Sequence, residues 1–190
     1  MTAVTRFPLL ALDDLDDDQR DAAEPILAFI GGITGPFNAT LRSPEITRRS
    51  FKLGEHLLFE TTLPRRLVEM AVLIRARASS SQFEWYAHHR PALEAGLADE
   101  ICEAIRLGRR PAEMADDEEA VFDFCTELAT ASAVGDAAFD HAKETFGERG
   151  VVELAYVIAF YAMVALVLNV AEVDTPDGTT PLPPFDGSFG

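Results

Sequence analysis

Cysteine is scarce in this 190-residue chain. There are two, Cys102 and Cys125, with no CxxC between them and no Cys/His cluster at zinc-ligand spacing. That excludes a disulfide-stapled scaffold and a structural zinc site, and the pair read as small buried hydrophobes in a reducing compartment. Positive charge is also thin: 16 Lys and Arg stand against 32 Asp and Glu, for a net charge of −16. Nucleic acid and anionic membrane surfaces would be repelled, so neither is expected as a partner. The most apolar run, Leu154 to Leu168, is 15 residues long and short for a membrane span. Glu153, Asn169 and Glu172 flank it rather than Lys or Arg, so it reads as a helix buried on all sides, in the core or at a subunit contact. The opening "MTAVTRFPLLALDDLDDDQR" follows its short apolar run with acids, which is not a signal peptide. A soluble cytoplasmic protein is expected. No Gly-rich phosphate loop, nucleophile elbow or sustained period-two alternation is present.

What is present is helix signal. Length and 48 % apolar content fit one domain, residues 1–190. Its core is expected over 35–173, preceded by an acidic helix within residues 1–24 that ends before Pro25. "SPEITRRSFKLGEHLLFE" begins with Ser43 at the N-cap and Pro44 at the first helical position, then carries an apolar stripe of Ile46, Leu53 and Leu57 with Phe51 and Leu58 beside it. "LPRRLVEMAVLIRARA" starts near Pro64. A serine among Ser79–Ser81 caps the next helix, which stops at Gly96, and Pro91 is expected to kink it. Further helices end at Gly108 and Gly147, and residues 149–173 form a long apolar one. The tail 174–190 is Pro- and Gly-rich and is expected to lie extended, on the surface or on a neighbouring subunit. "LVEMAVLI" (67–74) and "VVELAYVI" (151–158) echo each other, each with one glutamate in an apolar run.

Glu69 is the first anomaly. Apolar residues surround it in every helical direction, so its carboxylate must find a partner or hold a proton. One reading is an ion pair with Arg65, Arg66 or Arg75. The other is a carboxyl with a raised pKa, suited to general acid–base work. Glu84 and His88 are the second feature: at i and i+4 they share a helix face, and the carboxylate can orient the imidazole. The plain alternative is a solvated helix pair, with His89 facing inward instead. Asn169 interrupts the apolar helix and can satisfy a backbone group, fix packing or hold a ligand. Tyr156 and Tyr161 read as core aromatics, and His141 as solvated.

The run "LPRRLVEMAVLIRARASSSQFEWYAHHRPALEAGLADEICEAI" resembles the core of the carboxymuconolactone decarboxylase family, which includes the alkylhydroperoxidase D-like proteins. The likeness extends over about Gly35 to Gly178, with "LPRRLVE", "EWxxH" and "AGL" as its motif. In peroxidase-type members a glutamate precedes a CxxC and a histidine follows its second cysteine by four residues. Glu69 matches the glutamate and His88 the histidine, whereas Ser81 and Glu84 stand where the cysteines would be. Thiol peroxidase chemistry needs a thiolate that serine and glutamate cannot supply. The resemblance therefore implies an all-α helical bundle, assembled as a homo-oligomer (trimer or hexamer), on the decarboxylase-like side. It implies a lyase or isomerase acting on a small carboxylated or lactone-type carbon acid, with no cofactor and no metal. Glu69, Glu84 and His88 are the implied catalytic set and Ser81, Trp85 and Asn169 the implied substrate contacts. Arg75, Arg77 or Arg90 is available for a substrate carboxylate. Three readings stand beside this one: a peroxidase-type redox protein, a binder of iron or manganese through Glu69, Glu84 and His88, and a non-catalytic ligand-binding module.

Overall fold

The computed structural model describes residues 6–190. Among them are a 3₁₀ turn at Leu12–Asp14 and eight α-helices, with no strand: α1 (Asp17–Ile30), α2 (Pro36–Thr40), α3 (Pro44–Phe59), α4 (Arg65–Ala78), α5 (Gln82–Glu94), α6 (Asp99–Arg106), α7 (Asp116–Ala131) and α8 (Asp136–Ala171). The expected all-α bundle is what forms. The acidic N-terminal helix lies further along than expected, and residues 1–5 fall outside the described part. Asp16 caps α1 in a reciprocal capping box with Gln19, and the helix runs through Pro25 to a left-handed Gly31. Pro25 does not end it because the buried face of Ala22, Ala23 and Ile26 lies on both sides of the proline. Packing of that face outweighs the one hydrogen bond the ring removes. Pro91 likewise sits inside α5, which continues to Glu94.

α4 is the central helix. Ten of its fourteen residues are buried, and α5, α6, α7 and α8 pack around it. This all-round burial follows from its composition, since apolar side chains leave no face for water. α3 presents Thr47, Phe51, Gly54 and Leu57 inward, and Ile46 and Leu53 are exposed, so the expected stripe is rotated. What α3 meets sets that rotation. The Phe29 and Phe37 rings pack edge-on against Phe51, and Gly54 lets the Phe160 ring of α8 approach its backbone.

α8 is two helical segments joined at Gly147, whose φ of 69° and ψ of 176° a side chain would disfavour. The second segment carries the apolar run and is longer than the 15 apolar residues alone. By length and composition it is apolar enough to cross a membrane. In the fold its inner face (Leu154, Val157, Ile158, Tyr161, Ala165 and Leu168) is buried. It is not buried on all sides, however: Val152, Tyr156, Met163, Leu166 and Val170 are exposed, and Tyr156 is therefore not a core aromatic.

The tail 174–190 folds back on its own chain. Leu182 is buried and exchanges two hydrogen bonds with the Gln82 side chain. Arg77, 1 % exposed, donates to the carbonyls of Pro183 (2.7 Å) and Pro184 (2.9 Å) and lies over the Phe185 ring. Gly190 and Gly108 join the last residue to the end of α6 by a backbone bond.

Candidate active site

Glu69 is fully buried at the first third of α4. Its two oxygens are divided between two partners. One accepts from Arg65, one turn earlier on the same helix, and the other meets His88 Nδ1 of α5 at 2.8 Å. Arg65 is fixed in turn by the Leu58 carbonyl (2.7 Å) and by the Phe59 ring beneath its guanidinium. Burial pushes the Glu69 pKa up, but the hydrogen bond and charge of His88 and the charge and hydrogen bond of Arg65 outweigh it, and the net direction is down. Glu69 is therefore an ionised carboxylate. Such a group only accepts, so His88 Nδ1 carries the hydrogen and Nε2 is the imidazole's remaining acceptor. Of the two readings of Glu69, the ion pair with Arg65 forms and the raised pKa does not, and His88 is held by Glu69 rather than by Glu84.

Glu84 is the group with the raised pKa. Ser81-Gln82-Phe83-Glu84 has the spacing of a capping box. The reciprocal bonds are not made. The Ser81 N–H donates to the Ala76 carbonyl at 2.9 Å, and no side-chain cap bond forms at this helix start. Glu84 instead turns inward, 2 % exposed, and neither carboxyl oxygen has a hydrogen-bond partner. Burial drives its pKa well above the usual carboxylate range; the charge of Arg75 and the nearby Ser81 hydroxyl, which does not align to donate, offset only part. Burial without a partner favours the protonated carboxylic acid, the form of Glu84 with an O–H to give.

Both α5 groups open onto one cavity of about 350 Å³, walled by α1, α2, α3, α5 and α8. His88 and Glu84 line it together with Tyr161, whose ring meets the imidazole edge-on at 4.9 Å. Burial, followed by the charge of Glu69, keeps the Tyr161 hydroxyl protonated. The remaining wall is largely apolar, with the rings of Phe29, Phe37, Phe51, Phe83 and Phe160.

Three further expectations are corrected. Trp85 is buried and stacks on His89 rather than lining the cavity. Ser81 and Asn169 do not line it either; Asn169 donates to the Ser79 carbonyl at 3.2 Å and so closes the end of α4. None of the three candidate arginines reaches the cavity. Arg75 bonds Ser79 and the Ala129 carbonyl, Arg77 holds the tail, and Arg90 pairs with Glu94 at the surface. His141 is not simply solvated, since it meets Asp116 at 3.2 Å. Among the described residues, no group of three or more His, Cys, Asp or Glu side chains is placed to hold a metal ion. Both cysteines are buried as expected; burial, then the charge of Asp99, pushes the Cys102 thiol up to about 12, and burial drives Cys125 upward too. Sequence reasoning named Arg65 only as one possible ion-pair partner and missed Tyr161 as a wall residue. The i, i−4 spacing of Arg65 to Glu69 was the available signal for the first.

No protein-family model matches the sequence, and no curated protein matches it. Solved structures do. A peroxidase-related protein of uncharacterised function from Ralstonia eutropha JMP134, described as an alkylhydroperoxidase AhpD core, superimposes with a TM-score of 0.79 over 95 % of this chain and 98 % of its own, at 20 % identity. A protein of unknown function from Agrobacterium tumefaciens, provisionally assigned to AhpD antioxidant defence, gives 0.63 over 75 % of this chain and 99 % of its own, at 18 % identity. The chain has the AhpD-like helical fold.

Proposed function

We propose that this protein is a cofactor-independent acid–base enzyme, a lyase or isomerase of the decarboxylase-like kind, acting on a small carbon acid next to a carbonyl. The observation that carries this is the opposite tuning of two buried carboxyls at one cavity. Glu69 is held ionised behind His88, and Glu84 is held neutral at the wall. Carboxyls pushed apart in this way mark an acid and a base.

His88 Nε2 takes the proton from carbon, and the electron pair moves into the adjacent carbonyl. Glu69 stabilises the imidazolium that forms, while Arg65 balances the charge of Glu69. The Glu84 O–H donates to the developing enolate oxygen, a contact strengthened by the apolar surroundings. Imidazolium then returns the proton to the same or a conjugated carbon. Loss of carbon dioxide from a lactone acid, the reaction implied by the sequence resemblance, would use the same groups in a different order. There the carbon–carbon bond breaks, its electrons enter the carbonyl, and an already protonated His88 delivers the proton to carbon. Thiol peroxidase chemistry is disfavoured by two buried cysteines whose thiols are held protonated, neither of them lining the cavity.

The test is deuterium uptake at carbon. The protein is incubated in deuterated buffer with a panel of aryl ketones, lactones and β-keto acids, and the products are read by proton NMR. Exchange or decarboxylation that disappears in His88→Ala supports the reading. Equal rates in wild type and variant overturn it.

A further inference from the structure

The walls of the cavity bear on the charge of what it takes. The cavity offers no arginine or lysine. Arg65 is bound to Glu69 and to the Leu58 carbonyl, and no arginine or lysine is among the lining residues. The titratable groups that do face it are Glu55, Glu84, His88 and Tyr161. Glu84 is buried, has neither oxygen hydrogen-bonded, and borders the space directly. A buried polar group without a partner costs free energy that only a ligand or water can recover. Apart from Thr34 and the hydroxyls of Thr40 and Ser50, which donate to their own helices' carbonyls, the rest of the wall is mainly five phenyl rings and aliphatic side chains, which recover nothing from a charge and gain from apolar contact.

We infer that the ligand of this cavity is an uncharged, flat, largely apolar molecule whose carbonyl head faces Glu84, and that carboxylates are rejected. The inference deepens the acid–base reading, on which it rests for taking this cavity as the reaction site. A carboxyl group that is itself neutral offers one donor and one acceptor side by side. Its complement is a carbonyl, or a carbonyl with an adjacent N–H or O–H, as in a lactone, an enone or an amide. An anionic head would meet no arginine or lysine here, would lie beside Glu55 and behind His88 face the Glu69 charge, and would lose its water. A cavity of about 350 Å³ stands at the small end of ligand sites, roughly 300–1,000 Å³. Two fused rings with a carbonyl head fit within such a space. An uncharged substrate has no carbon dioxide to lose, so within the proposed chemistry it selects proton shuffling, an isomerase, over decarboxylation.

The experiment uses three probes of one shape: 2-naphthamide, 2-naphthoate and naphthalene, titrated by calorimetry into the full-length protein at pH 7.5. The amide should bind about tenfold or more tightly than the carboxylate, because the carboxylate must be stripped of water with no cation to receive it. Glu84→Ala should bring the amide down to the level of naphthalene. Glu84→Gln, which keeps a donor and an acceptor, should retain most of the difference. Carboxylate binding equal to or tighter than amide binding overturns the inference, and so does failure of all three probes to bind. A preserved amide preference in a protein that exchanges no carbon-bound proton overturns the catalytic reading alone, so the two failures are distinguishable.

Discussion

Glu69 and His88 are nineteen positions apart in the chain and 2.8 Å apart in space, the carboxylate on the central helix and the imidazole on the next one. The contact ties the core of the bundle to the wall of the cavity. Arg65 anchors it from behind, which makes the pair a fixed base rather than a surface ion pair.

His88→Ala should therefore lower carbon-proton exchange by about 100-fold or more, the usual loss for a general base. Glu69→Gln should lower it too and shift the pH profile, because the amide cannot stabilise an imidazolium. The circular dichroism spectrum and melting curve of His88→Ala should remain those of a folded helical protein. An unchanged exchange rate in either variant contradicts the assignment.

The two carboxyls should pull stability in opposite directions with pH. The Glu84 pKa is raised in the folded state, so the native protein binds the extra proton and stability falls as pH rises from the unfolded carboxyl range toward the folded value. The Glu69 pKa is lowered, so its contribution is present above the unfolded range and disappears as pH falls through the folded value. In urea melts, Glu84→Gln should gain on wild type progressively from about pH 4.3 upward. Glu69→Gln should fall behind wild type above the same pH and converge with it below. A pH-independent difference for Glu84→Gln would show that Glu84 is ionised in the native protein.

Replacing Cys102 and Cys125 together with alanine should leave proton exchange intact, since both thiols lie away from the cavity. Native protein should react with a thiol-specific disulfide reagent only as fast as it opens, because thiols held protonated and buried are poor nucleophiles. Rapid labelling of the native state would place one of them at the surface.

Gly54→Ala should narrow the cavity while sparing the fold. A methyl group there would stand 2.9 Å from the Phe160 ring, which must swing away. Phe160 lines the cavity, so binding of 2-naphthamide should weaken several-fold. An unaltered affinity would mean that Phe160 relaxes outward.

Assembly with copies of the same chain is expected as well. Val152, Tyr156, Met163, Leu166 and Val170 recur at steps of four, seven, three and four along the exposed face of α8, the spacing of a helix-packing seam. Leu166→Glu should reduce the mass seen by light scattering if a second copy covers that face. A monomeric wild type at micromolar concentration contradicts it.

Much of the helix layout was legible in local chemistry. Caps, prolines at first positions and glycine stops are properties of a few adjacent residues, and they marked the starts of α3 and α5 and the ends of α5, α6 and the first half of α8. Glu69 was legible because a lone carboxylate in an apolar helix demands a partner, and His88 through its spacing to Glu84 and its match to the family motif, which also implied one shared site. Which carboxyl holds the imidazole was not legible, since it depends on how α4 and α5 cross. The reversal of roles between Glu69 and Glu84 lay deeper. Either carboxyl is an ordinary glutamate in sequence; only the arrival of Arg65 and His88 at one of them, and of nothing at the other, separates their pKa values. Pro25 misled because the rule for proline is local, whereas the packing that overrides it is not.

Arg77 has a consequence for the order in which the molecule is built. Its guanidinium sits near the end of the central helix, yet the carbonyls that receive it belong to Pro183 and Pro184, more than a hundred residues later. During synthesis the cation emerges long before its partners do. Until Pro183 and Pro184 are in place, α4 carries a charge with no acceptor in a closed bundle, so that end of the core has to stay wet. The segment that carries these two prolines thus acts as a seal on one end of the core.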